Sequence, residues 1–172
     1  MNRASLLRAN GTPGWFDDPL VRETIAPAII ATRAQLYESR RTAGPPAPNA
    51  ARVFDLINTR KLHAAGVRLV LGSDTAGDAN RWIGMMTLAE LENMVAAGLT
   101  PAEVIVASTR DAAAVLRLDE LGMVAAGKSA DFLVLDANPL EHIANTRRIN
   151  AVYLRGREVD RAALRAKWQK ST

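Results

Sequence analysis

Residues 1–14 show weak periodicity, and Asn10-Gly11-Thr12-Pro13-Gly14 is turn chemistry, so the ordered pattern of apolar and polar positions starts after them. Asp18-Pro19 reads as an N-cap and first helical residue. Pro27 starts a longer helix whose spacing through Ile30, Ala34 and Tyr37 carries it to about Arg41, where Gly44-Pro45-Pro46-Ala47-Pro48 breaks the pattern. Asn49 caps the next helix; Val53, Leu56, Ile57, Arg60 and His63 mark its turns to about Ala65, and Gly66 ends it. Val67-Arg68-Leu69-Val70-Leu71 is a short β-rich run between Gly66 and Gly72. It predicts a buried strand of a parallel sheet, over about 67–73, with Arg68 its one polar member.

A loop over Gly72–Ala79 leads to a helix near Thr87–Ala97, with Leu88, Leu91 and Val95 on one face and Gly98 at its end. Thr100-Pro101-Ala102-Glu103 is a capping box with proline at the first helical position, so another helix starts there, and Asp111 to about Leu116 adds a further turn or two. From Leu121 the texture changes. Gly127-Lys128 reads as a turn, Phe132–Leu135 as a strand, and Val152-Tyr153-Leu154, Arg155-Gly156, Arg157-Glu158-Val159 as a hairpin, followed by a short basic helix from about Arg161.

Composition narrows the class. With 172 residues, 48% hydrophobic and 23% charged, the chain is a globular protein long enough for one ordinary domain and short for a complete barrel enzyme. The net charge of +4 comes from Arg spread along the chain, densest near Arg157, Arg161, Arg165, Lys167 and Lys170. Aromatic residues are only 5%, which speaks against a nucleic-acid surface. No apolar run reaches spanning length and none follows Met1 as a signal peptide would, so no membrane partner is expected and a cytoplasmic location is. The absence of cysteine leaves His and carboxylates as the only strong metal ligands.

Asp74 directly follows the predicted strand, in Leu71-Gly72-Ser73-Asp74-Thr75-Ala76-Gly77. In a parallel β/α architecture the C-terminal ends of the strands face the active site, where a carboxylate can hold a metal or take a proton from its water. The local pattern also fits an Asp that caps the loop or the helix after it.

Three blocks, in order, carry a resemblance. Gly66–Thr75 resembles the eighth barrel strand of the amidohydrolase superfamily, and Ala97–Glu103 with Ala107-Ser108-Thr109 resembles the helix after it. Leu121–Asp136, with Gly122, Gly127-Lys128 and Ala130-Asp131, looks like the family's return from barrel to accessory β domain. The likeness runs from about Asn49 to Asp160 and is nearest to the imidazolonepropionase-like and dipeptidase-like branch. It implies water activated by one or two divalent metals, commonly zinc, attacking an amide-type carbon, with Asp74 as a catalytic residue and metal ligand. The metal would lower the pKa of the water and the carboxylate would shuttle its proton to the leaving nitrogen.

The sequence also departs from that pattern. The family draws a His-x-His pair from its first strand, usually a Lys or Glu from the fourth, and single His residues from the fifth and sixth; this chain has only His63 and His142. His63 lies on the helix before the strand and His142 after Asn138-Pro139-Leu140-Glu141, and both read as structural. A catalytic zinc typically needs three protein ligands, so no metal should be held stably by this chain alone and the chain alone should be inactive. Asp78 reads as a solvated loop acid, Glu90 and Glu92 as an exposed helix face, and Asp131, Asp136 and Lys128 as turn residues. Trp82, Met85 and Met86 read as core in preference to a substrate pocket.

The fold expected is therefore α/β: the C-terminal part of a TIM-type (β/α)8 metal-dependent hydrolase barrel over residues 1–118, part of a small β-sandwich-like accessory domain over 119–160, and a basic tail over 161–172. The function expected is a C-terminal fragment of an enzyme hydrolysing non-peptide carbon–nitrogen bonds in a small amide-type substrate. The alternative is a non-catalytic assembly module. An incomplete barrel leaves an open sheet edge, which invites a complementary barrel half or a homo-oligomer.

Overall fold

The computed structural model describes residues 17–42, 50–73 and 84–169; Asp74, Asp78 and Trp82 lie outside the described residues, as do the turn at 10–14 and the Pro-rich break at 44–48. The chain divides into two compact units, Met1–Ala50 with Asp160–Thr172, and Ala51–Val159.

In the first unit, helix α1 spans Pro19–Thr24 and α2 Pro27–Thr42, both opened by the expected prolines. The basic C-terminal helix spans Arg161–Gln169, and the Asp160 side chain caps it by accepting from the Ala163 amide at 2.8 Å. Val21 of α1 is buried, and Arg165 reaches back to Glu23 with an Nε–Oε2 distance of 2.6 Å.

The second unit is built on α3 (Ala50–Ala64), α4 (Met85–Ala96), α5 (Pro101–Ser108) and α6 (Arg110–Val115), followed by an antiparallel sheet. Gly66 and Gly98 end α3 and α4 in the same way. Each takes a positive φ, and the amide after it turns back onto the carbonyl five residues earlier, Val67 to Leu62 at 3.0 Å and Leu99 to Met94 at 3.2 Å. At the end of α6 the same motif is made by a non-glycine residue, Arg117 at φ 56°, with Leu118 donating to Ala113 at 2.9 Å.

Leu91, Met94, Ala97, Leu99, Val104, Ala107 and Ile143 form the core, and Leu56, Leu69 and Leu71 pack against it. Met85, read as core, is buried.

Residues 67–73 carry neither helix nor ladder among the described residues, where a buried strand was expected. A ladder needs a neighbour, and no described strand pairs with this one. The segment keeps a strand's alternation: Leu69, Leu71 and Ser73 are half-buried while Arg68, Val70 and Gly72 are exposed. One face is covered by the core, whereas the continuous apolar run had suggested both.

The sheet has order β1-β2-β3, with β1 at Phe132–Leu135, β2 at Ile149–Leu154 and β3 at Arg157–Glu158. Phe132 pairs with Tyr153, and their rings stack with centroids 4.6 Å apart. Arg155 and Gly156, both at positive φ, make the tight hairpin turn read from the sequence. A 3₁₀ turn at Ile143–Arg147 joins β1 to β2 and puts Ile143 into the core with Leu91 and Met94. Residues on either side of 118 consequently lie in one unit.

Candidate active-site segment

The described segment before Asp74 follows a helix tied to its neighbours by specific contacts. Helix α3 is clasped to the α4–α5 corner at two points. Arg60 Nε donates to the Ala97 carbonyl at 3.1 Å, supplying a partner for one of the orphan acceptors at the C-terminus of α4. His63 Nε2 stands 3.3 Å from Glu103 Oε1. The chain leaves α3 through Gly66, lays Leu69 and Leu71 on the core, and reaches Ser73, the last described residue before the segment that carries Asp74. On the far side the described chain resumes at Gly84, with φ 81°, and Met85 is buried at once.

Glu103 completes the capping box. Its Oε2 accepts from the Thr100 amide at 2.7 Å and from Thr100 Oγ1 at 2.8 Å, while the Glu103 amide donates to Thr100 Oγ1 at 3.3 Å. These hydrogen bonds, the backbone one first, and His63 after them hold the Glu103 carboxyl below its ordinary value of 4.5. With Oε2 engaged in the cap, the His63–Glu103 pair serves helix joining, which matches the structural reading of His63. His142 stands at the N-terminal boundary of the 3₁₀ turn.

Glu92 corrects the expectation of an exposed helix face. Its side chain is only 19% exposed and accepts from Arg147 Nε at 3.0 Å, with Arg147 itself 26% exposed. Glu90 is half-buried and accepts from Asn93 Nδ2 at 3.0 Å. The Asp residues of the sheet region act at turns as read: Asp131 accepts from the Arg155 amide at 2.5 Å and from Ser129 Oγ at 3.0 Å, and Asp136 from Asn150 Nδ2 at 2.9 Å. Lys128 donates to the Asp119 carbonyl, closing the loop after α6.

Among the described residues no group of three His, Asp or Glu side chains could hold a metal ion. The residues described do not fit such a group, and no chemical step is routed through one. The residues that the sequence left unassigned, Arg60 and Arg147, position helices. Neither has a local signature, because each finds its partner more than thirty residues away.

Residues 19–159 match the family model described as the amidohydrolase family. Over 71 residues the chain is 39% identical to the adenine deaminase of Desulfitobacterium hafniense (strain Y51), an overlap of 41% of this chain and 11% of that protein. Its fold is similar to that of molinate hydrolase, with a TM-score of 0.57 at 33% identity over 62% of this chain and 26% of that one. It is also similar to that of a Xaa-Pro dipeptidase solved with methionine in its active site, with a TM-score of 0.54 at 28% identity over 60% of this chain and 25% of that one. The chain thus spans about a quarter of these solved relatives and a smaller share of the deaminase.

Proposed function

The chain belongs to the amidohydrolase family, and from that premise we propose that it forms the C-terminal part of a barrel hydrolase acting on a carbon–nitrogen bond of a small amide-type substrate, with Asp74 as its catalytic acid–base group. The observation that carries this reading is the family match over residues 19–159, which spans the whole path from α1 to the sheet and includes Asp74. A divalent metal, zinc by preference, would supply water activation in the complete enzyme, and its ligands beyond Asp74 would come from outside this chain, since the two His residues of the sequence stand in α3 and at the 3₁₀ turn. The carboxylate accepts a proton as the water oxygen bonds to the carbonyl carbon, then delivers it to the nitrogen as the carbon–nitrogen bond breaks. The chain alone is inactive in this reading.

The test compares this chain with a polypeptide extended upstream through further barrel strands, assaying amine or ammonia release from a panel of amides and cyclic amides. Hydrolysis is expected only in the extended protein, and Asp74→Asn should lower its rate by roughly 10²–10⁴-fold. Asp74→Asn retaining activity within a few-fold would remove Asp74 from the chemistry.

A second reading is a module without chemistry of its own that docks on a separately made amidohydrolase part. It predicts stable binding of such a part with no hydrolysis by the pair.

A further inference from the structure

No further inference is drawn: the strongest candidate, the run of exposed apolar side chains at the end of α6 and in the loop after it (Val115, Leu116, Leu118, Met123 and Val124, the last 85% exposed), carries nothing because nothing in the structure shows what covers it.

Discussion

A Cβ on Gly122 would stand 2.8 Å from the Thr109 carbonyl oxygen and 2.9 Å from Ala113 Cβ, in a backbone already at φ +86°. Thr109 stands at the N-terminal boundary of α6 and Ala113 lies within it, joined by the Ala113 amide donating to the Thr109 carbonyl at 2.9 Å, so they cannot retreat separately. Gly122→Ala should therefore cost about 3 kcal/mol, the overpacking and left-handed backbone contributions together, read as a lower urea midpoint. Gly127 supplies the control, with φ +79° but nothing within 4 Å of its Cβ position, so Gly127→Ala should cost only about 1 kcal/mol. Equal losses at the two sites would show that packing against α6 is not what Gly122 is for. The capping box makes the other prediction at this scale. Thr100→Ala should cost about 1 kcal/mol at neutral pH. Because the Glu103 carboxyl sits lower in the folded state than its ordinary 4.5, its stabilisation is present above that value and lost as pH falls through the folded value. Glu103→Gln should flatten that acid limb of the melting temperature against pH while keeping the helix start. Thr100 and Glu103 were legible in the sequence because a capping box is three residues long. Glu92 was not, because its partner lies 55 residues away.

Among elements, the Glu92–Arg147 contact fastens the 3₁₀ turn to α4, and Ile143 enters the core beside it. Both side chains are less than a third exposed, so the pair is less screened than a surface ion pair. A double-mutant cycle with Glu92→Gln and Arg147→Met should return a coupling energy of roughly 1–2 kcal/mol by urea unfolding, and additivity within about 0.3 kcal/mol would show that the turn is held by packing alone. The helices were read from sequence to within a residue or two because prolines and glycines bound them: Pro27, Gly66, Gly98 and Pro101 all act at the ends assigned to them. The segment at 67–73 was read too simply. An apolar run says that a residue prefers burial, but which faces are covered depends on neighbours that local pattern does not name, and here Leu69 and Leu71 face the core while Val70 does not.

For the molecule as a whole, the family was legible in three short blocks, while the proposed metal ligands beyond Asp74 were not, because the sequence holds only two histidines. That shortage makes a measurable statement. A ligand that binds only the folded state at a hundred times its dissociation constant stabilises by about 2.7 kcal/mol, which for a chain of this size raises the melting temperature by roughly 5–10 °C. His63 is joined to Glu103 in clasping α3 to α5, and His142 stands at the 3₁₀ turn, so in the proposed reading the three protein ligands that a catalytic zinc typically takes are completed from outside the chain. Zinc titrated into the purified chain at micromolar concentrations should leave its melting temperature within about 1 °C, and Asp74→Ala should melt with the same indifference. A saturable rise of several degrees in the unaltered chain, abolished by Asp74→Ala, would mean that this polypeptide assembles a metal centre by itself, and the proposal that its remaining ligands come from outside the chain would fall.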